Sequence, residues 1–295
     1  MAAIAYLAAL GAAFFWGLAP VSSKRGFAHG DDPVSVAIIV IATSVAIFWG
    51  GLALTQGPAD LAPGLSVFGY GISLFGGLVG TAVGRIGNYE VIDRVGASVN
   101  SAAIASNPLF ATILALAFLG EAVSIGQAAG IVVAVGGLVL LTFSKGGDVG
   151  GWRPYELLFP LLAAIAYGTA SVIRRFGLTT TPARSLEAVA LNETAALFGL
   201  WVFALWSGRH GLRSIPLRGY AYFLGAGVLS GTGFLLFFTG LDNGRVAIVT
   251  TLVATSTLFA TAFSYIGLGG IERVTRGIVA GVALVVLGVG VITLA

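Results

Sequence analysis

The sequence contains no cysteine, and charged residues make up only 9% of its 295 residues. The absence of cysteine excludes disulfides, thiolate nucleophiles and cysteine-ligated metals. Charged residues make up about 25% of a typical soluble domain, so this chain has too few charges to cover a surface that faces water. Its 15 Lys and Arg residues are scattered singly or in pairs, which excludes a basic stripe for nucleic acid.

Histidine is nearly absent as well. His29 and His210 are the two copies, and both fall in predicted loops. A histidine pair inside the membrane, able to bind a metal or relay protons, is therefore excluded. There is no Walker A pattern and no Ser/His/Asp constellation, so the sequence favours neither an ATP-driven pump nor an enzyme. We expect no cofactor and no metal site.

Apolar residues are abundant, at 57% of the chain. They form ten runs long enough to cross a bilayer as helices of about 20 residues. The first run lacks the basic start of a cleavable signal peptide. The predicted helices lie at 3–23, 34–54, 65–92, 96–118, 123–143, 155–176, 185–206, 217–241, 246–267 and 274–294. We therefore predict an all-α membrane protein embedded in a lipid bilayer.

The second half of the chain repeats the first. Leu109-Phe110-Ala111-Thr112 returns unchanged as Leu258-Phe259-Ala260-Thr261, an offset of 149 residues. Further pairs at offsets of 149 or 151 are Asp93 with Asp242, Gly84 with Gly233, Glu121 with Glu272, Gly130 with Gly281, and Trp16-Gly17 with Tyr167-Gly168. Because five helices per repeat is an odd number, the second repeat must enter the membrane from the opposite side. We predict two inverted five-helix repeats, 1–146 and 147–295, around a central cavity.

This arrangement resembles the drug/metabolite transporter superfamily with tandem EamA-type repeats. The residues that carry the resemblance are Trp16-Gly17, the block 107–141 and the similar block 256–291. Within the superfamily, the chain is most similar to bacterial aromatic amino acid exporters of the YddG type. The resemblance implies ten helices, a central cavity between the halves and export of small amphiphilic metabolites. The coupling glutamate on helix 1 of the small multidrug members has no counterpart here, so that proton-coupling mechanism is not carried over.

The candidate substrate-binding residues combine aromatic walls with polar groups. Aromatic residues of helices 1 and 6 are expected to hold an apolar side chain, and polar groups of helices 3 and 4 to meet the charged end. Hydroxyl groups of helix 9 are further candidates for lining the site. Pro108 is expected to free a carbonyl near the middle of helix 4, and broken helices often mark transporter sites. The alternative is ordinary packing, with hydroxyls bonded to carbonyls of their own helix. The candidates are Trp16, Arg85, Asn88, Tyr89, Asn100, Ser101, Asn107, Tyr167, Thr169, Thr251 and Thr255.

Two charged residues have more than one interpretation, and a pair of glycine motifs predicts a helix contact. Arg85 either binds a substrate carboxylate or belongs to a structural ion pair, for which Glu90 is a poorly placed partner. Glu193, near the middle of helix 7, is either a proton carrier or a neutral hydrogen-bonded group. GxxxG motifs that begin at Gly126 and Gly277 predict a packing seam between helices 5 and 10.

Lys and Arg in short loops predict the orientation. Ten of them lie on the side opposite the termini and four on the termini side. The four are Arg174, Arg175, Arg184 and Arg245. We therefore expect both termini outside the cytoplasm, in an inner membrane. The predicted function is secondary export by a monomer, through alternating access, of amino acids with aromatic ones favoured. The alternatives are transport of lipophilic cations or nucleotide sugars, or a channel-like pore.

Overall fold

The computed structural model describes residues 2–27, 33–57, 65–84, 104–144, 155, 158–208, 217–267 and 276–295. These residues form ten helices and contain no strand, which confirms the predicted all-α fold. The helices are α1 (Ala2–Phe27), α2 (Pro33–Gln56), α3 (Val67–Gly76, continued by the π-helical Gly77–Val83), α4 (Asn107–Leu119), α5 (Ile125–Ser144), α6 (Leu158–Thr180), α7 (Ser185–Ser207), α8 (Leu217–Asn243), α9 (Val246–Ala254 and Ser256–Gly267) and α10 (Arg276–Leu294). Within the described residues, five helices are long and apolar enough to cross a membrane: α1, α2, α6, α7 and α8.

The equivalent helices α1 and α6 run in opposite directions. The start of α1 lies beside the end of α8, because a Cβ on Gly244 would come within 2.6 Å of the Ala5 methyl group. The end of α6 lies at the same place, because Arg175 donates to the backbone carbonyls of Leu241 and Asp242. The second five helices are therefore inverted relative to the first five, as the odd number of helices per repeat predicted. We call this end of the bundle the termini end.

The two halves pack against each other through two equivalent sets of helix contacts. Helix α1 of the first half packs against α8 and α9 of the second, and α6 of the second half packs against α3 and α4 of the first. Since α1 corresponds to α6, α3 to α8 and α4 to α9, the same helix pairs form twice. The fifth helices of the two halves, α5 and α10, pack against each other.

The repeated Leu-Phe-Ala-Thr motif makes one of these duplicated contacts. A Cβ on Gly168 of α6 would lie 2.9 Å from the Ala111 backbone nitrogen. In the other direction, a Cβ on Gly17 of α1 would lie 2.8 Å from the Ala260 nitrogen and collide with Phe259. Each copy of the motif thus presents its backbone to the equivalent glycine in the opposite half. The motif occurs twice because this close contact between helices is made twice.

Glycines also join α5 to α10, which confirms the predicted packing seam. A Cβ on Gly130 would lie 2.8 Å from the carbonyl oxygen of Gly288, and a Cβ on Gly137 would lie 2.8 Å from that of Gly281. The glycines that meet are therefore seven residues apart on each helix. Gly126, the first residue of the predicted GxxxG motif, lies instead beside the C-terminal Ala295.

Helices α4 and α9 are interrupted at equivalent positions. The Leu109 N–H donates to the Ser106 carbonyl at 3.0 Å, and the Leu258 N–H donates to the Thr255 carbonyl at 2.8 Å. The second half makes this tight turn without a proline. Pro108 itself lies at the start of α4, where its missing N–H is tolerated. The break lies directly before Pro108, near the middle of the predicted helix 96–118, where it was expected, and the second half shares it without a proline.

Helix α6 is longer than predicted, which changes the place of Arg174. The predicted helix ended at residue 176, but the helix continues to Thr180. The Thr180 and Thr181 hydroxyls donate to carbonyls of the preceding turn. Arg174 therefore lies inside the helix and is buried. Counting it among the loop residues of the termini side was wrong, because its charge is satisfied within the bundle.

Candidate functional site

A cluster of polar side chains lies inside the bundle where α3, α6 and α7 meet. Nη2 of Arg174 donates to Oγ1 of Thr81 at 2.9 Å and to Oδ1 of Asn192 at 3.3 Å. The Thr81 hydroxyl donates to Oε1 of Glu193 at 3.4 Å. Arg174 is 7% exposed, and Asn192 and Glu193 are 0% exposed. We call these four residues the polar cluster. Glu193 lies near the middle of its helix, as predicted.

Glycines allow α3 to approach this cluster. A Cβ on Gly77 would collide with the backbone carbonyl of Asn192, and a Cβ on Gly80 would collide with the methyl group of Ala170. Both glycines belong to the π-helical part of α3, which also carries Thr81. π-Helical segments are rare and occur frequently at functional sites. The backbone of α3 is therefore shaped to bring the Thr81 hydroxyl between Arg174 and Glu193.

Aromatic rings from α8 and α1 lie beside the polar cluster. The Arg174 guanidinium carbon lies 5.8, 6.0 and 5.7 Å from the ring centroids of Phe234, Phe237 and Phe238. The Trp16 ring lies 4.8 Å from the Phe234 ring and 5.4 Å from the Phe237 ring. We call these four rings the aromatic cluster. A buried cation therefore lies against an aromatic surface at the place where the two halves meet, an arrangement suited to cation–π attraction.

The two aromatic candidates, Trp16 and Tyr167, occupy equivalent places. A Cβ on Gly233 would lie 2.5 Å from the Trp16 ring, and a Cβ on Gly84 would lie 2.7 Å from the Tyr167 ring. The indole N–H of Trp16 also donates to the Ser230 carbonyl at 3.1 Å. Each ring therefore packs on a glycine in the opposite half.

The hydroxyl candidates bond within their own helices. Thr169 donates to the Ile165 carbonyl at 2.8 Å, and Thr251 donates to the Ala247 carbonyl at 2.8 Å. Thr255 donates to the Leu252 carbonyl at 2.6 Å. This is the local bonding that threonine commonly makes in helices, and a role in substrate binding stays a prediction for all three.

The remaining candidates differ in what is known of their place. Asn107 is half-buried at the start of α4, and its binding role also stays a prediction. Glu90 falls outside the described residues, and its role stays a prediction. Five binding candidates also fall outside the described residues, and their roles stay predictions. They are Arg85, Asn88, Tyr89, Asn100 and Ser101.

Arg174 is the central residue that the sequence interpretation missed. It falls within the predicted helix 155–176, yet the sequence analysis counted it only among the Lys and Arg that set the orientation. Charges inside membrane helices are rare and usually face protein or water. The signal that could have identified it was the occurrence of two buried-helix charges of opposite sign, Arg174 and Glu193.

A second group of contacts joins the two halves at the termini end. Both carboxylate oxygens of Glu121, which follows α4, accept from the Val246 N–H at 2.9 and 3.1 Å. The Arg175 guanidinium lies 3.9 Å from the same carboxylate. The Arg245 guanidinium donates to the Ala122 carbonyl at 2.8 Å. We call Glu121, Arg175, Arg245 and Val246 the termini-end latch, because these contacts join the two halves.

Burial controls the protonation of the latch carboxylate. Desolvation raises the pKa of Glu121 above its ordinary value, and this effect outweighs the opposing effects of the Val246 N–H and Arg175. The charged form of Glu121 is therefore less favourable in the closed bundle than it would be in water.

Two of three comparisons with known proteins agree with a fold of two helical repeats, and the third finds no match. The sequence profile of the EamA-like transporter family matches residues 3–143 and again residues 154–294. A comparison with curated proteins finds no match. A solved crystal structure, described only as that of a protein, superposes with a TM-score of 0.79 at 18% sequence identity, over 100% of this chain and 98% of the other. That likeness shows a shared fold.

Proposed function

Because the chain belongs to the EamA-like transporter family, a family of membrane transporters of small solutes, we propose that it exports amphiphilic metabolites, and aromatic amino acids in particular. The observation that carries the proposal is the contact between the polar cluster and the aromatic cluster. A charged head group and an apolar side chain require two such surfaces side by side. Trp16 and Tyr167 are the proposed aromatic walls of a central cavity.

The proposed mechanism is alternating access. The duplicated contacts of α1 with α8 and α9, and of α6 with α3 and α4, give the bundle two inverted packing arrangements of similar energy. Inverted repeats of this kind can exchange an inward-open state for an outward-open one. We propose that the contacts of the termini-end latch keep this end closed in one of the two states. Solute exchange at that end would then require the latch to open.

Reconstitution into liposomes tests the proposal. We expect saturable counterflow of phenylalanine or tryptophan across the vesicle membrane. The Trp16→Ala and Tyr167→Ala variants should insert normally but transport aromatic solutes several-fold less well, because each removes ring area beside the site. Trp206→Ala is the matched control, because this tryptophan of α7 is 84% exposed. Unchanged kinetics in both site variants would contradict an aromatic wall.

The same assay separates the alternatives. Glu193 favours a cationic cargo, since a buried carboxylate attracts a cation, but the neighbouring Arg174 opposes a solute that carries only positive charge. Lipophilic cations and nucleotide sugars therefore belong in the solute panel. A channel-like pore would pass solute without saturable counterflow.

We also propose that both termini lie outside the cytoplasm, in the inner membrane of the cell. After Arg174 is removed from the loop count, Lys and Arg still favour the side opposite the termini. The chain has no native cysteine, so an Ala295→Cys variant carries a single label site. An impermeant maleimide should label it on intact cells. Labelling only after lysis would reverse the orientation.

A further inference from the structure

The polar cluster is the place where the second half departs from the first. At the offset of 151, Arg174 corresponds to Ser23 and Glu193 corresponds to Ala42. The π-helical segment Gly77–Val83 of α3 has a regular α-helical counterpart in α8. The scaffold therefore does not require these charges, because the first half builds the equivalent helices without them.

The cost of burying the charges indicates a role beyond packing. Removing a charged group from water costs several kcal/mol even in protein interiors, and charges inside membrane helices usually mark solute pathways. Here one cation and one carboxyl group are connected through a single hydroxyl, since Thr81 accepts from Arg174 at 2.9 Å and donates to Glu193 at 3.4 Å. The Thr81 hydroxyl therefore bridges the guanidinium and the carboxyl group.

The Arg174 guanidinium and the Glu193 carboxyl group have different neighbours. Arg174 lies against the rings of Phe234, Phe237 and Phe238. Glu193 lies on α7, and the Thr81 hydroxyl connects it to Arg174 across the bundle. A solute that reached this place would meet a cation, a carboxyl group and an aromatic surface together.

We propose that Arg174 and Glu193 form the head-group site for a zwitterionic α-amino acid. Arg174 binds the carboxylate, Glu193 binds the ammonium group, and the aromatic cluster holds the side chain. A solute with one charge would leave the opposite charge of the protein without compensation in a low-dielectric site. Thr81 and Asn192 hold the two groups in place when no solute is bound. This inference rests on the proposed function and names the residues that would recognise the two charges of the solute.

The test compares three solutes that share a phenyl ring and differ in their charged groups: phenylalanine, phenethylamine, which lacks the carboxylate, and 3-phenylpropionate, which lacks the ammonium group. Each competes in phenylalanine counterflow with wild-type proteoliposomes. We expect phenylalanine to compete at least about tenfold better than either analogue, since leaving a buried charge unpaired typically costs more than that factor. This ranking needs no variant, so it does not depend on how well a mutant folds.

Two variants should change the ranking in opposite directions. Glu193→Gln should shift the preference toward 3-phenylpropionate, because the ammonium partner is lost. Arg174→Gln should shift the preference toward phenethylamine, because the carboxylate partner is lost. Glu187→Gln is the matched control on the same helix, since Glu187 accepts from Gln56 and from the Arg184 N–H. It should leave the ranking unchanged.

The outcomes separate this inference from the function on which it rests. Equal competition by the three solutes in wild type, or an equal loss for all three in both variants, overturns the head-group site while transport stands. A wild-type preference for the amine alone or the acid alone also overturns it. Absence of counterflow for every solute overturns the proposed function, and this inference with it.

Discussion

The contact of α1 with α8 can be compared directly with the contact of α6 with α3. In the first, Trp16 packs on Gly233, and in the second, Tyr167 packs on Gly84. Both pairs combine an aromatic ring with a glycine of the opposite half. About two helical turns further along, the two helices are no longer equivalent, because α6 carries Arg174 where α1 carries Ser23.

This difference separates two kinds of requirement. Two conformations of similar energy require matched contacts, so the glycines and the rings that pack on them occur twice. Arg174 and Glu193 occur once, which agrees with the proposal that they recognise the solute. The duplicated glycine contacts are therefore assigned to the scaffold, Trp16 and Tyr167 also line the proposed cavity, and the unduplicated charges are proposed to set specificity.

The largest effect is expected when the unduplicated charge is removed. Arg174→Met takes the cation away from the buried Glu193 carboxyl, which typically costs about 3–5 kcal/mol. Chemical denaturation in detergent micelles would measure the free energy of unfolding. The matched control, Ser23→Ala at the equivalent place in α1, should change it by about 0.5 kcal/mol or less.

A double variant sharpens this prediction. Arg174→Met with Glu193→Leu should recover most of the stability, because an apolar pair replaces the charges, but it should not recover transport. Wild-type stability in Arg174→Met alone would show that the charge of Glu193 does not depend on Arg174.

A smaller effect is expected in the duplicated scaffold. Gly137→Ala places a Cβ 2.8 Å from the Gly281 carbonyl oxygen and 2.7 Å from the Val285 nitrogen, and overpacking of this kind costs about 1–3 kcal/mol. Gly288→Ala, in the other half, should cost a similar amount because its Cβ meets Ala134 and Gly130. The thermal unfolding midpoint in detergent would show both losses.

The neighbouring glycine is the control for the seam. A Cβ on Gly136 of the same helix meets nothing within 4 Å, so Gly136→Ala should leave the unfolding midpoint unchanged or raise it slightly. If Gly136→Ala and Gly137→Ala destabilise equally, the loss comes from the helix itself and the seam has no special role.

The smallest effect is expected at the termini-end latch. The pKa of Glu121 is raised in the closed bundle, and opening would return the carboxyl to water and to its ordinary pKa. The closed state therefore binds the proton more tightly, so acidification from neutral pH should favour closure and a rise in pH should favour opening. Maleimide labelling of an Ala115→Cys variant, buried just before the latch, should slow as the pH falls.

Two variants check the latch prediction. Glu121→Gln should remove this pH dependence, after correction for the reactivity of the thiol itself. Asp242→Asn is the matched control, because the Asp242 carboxylate accepts from Ser185 within the second half and should leave the dependence intact. A labelling rate that rises on acidification would contradict the sign of the effect.

The sequence predicted the helices well and the site only in part. Long apolar runs and the offset of the Leu109–Thr112 motif predicted ten helices in inverted halves. Glu193 was correctly placed near the middle of its helix. Arg174 was missed because its partners, Thr81 and Asn192, lie on two other helices and are not apparent from the sequence.

The role of Pro108 shows the same limit. A proline in an apolar run predicts a local break, but the turns at Ser106 and Thr255 occur with and without one. Their shared position shows that the interruption follows the packing of α4 and α9 in the bundle. Single-residue propensity could not show this.

The sequence by itself determined that the chain is helical, embedded in a membrane and built twice, because hydrophobic length and internal repetition are properties of the order of residues. Only the tertiary structure decided which glycines meet, which contacts join the halves at the termini end and which polar groups lie close together. Thr81, Arg174 and Glu193 lie on three different helices, and their distances depend on how closely the backbones approach. That approach is set by contacts between residues far apart in the chain, such as Gly77 with Asn192.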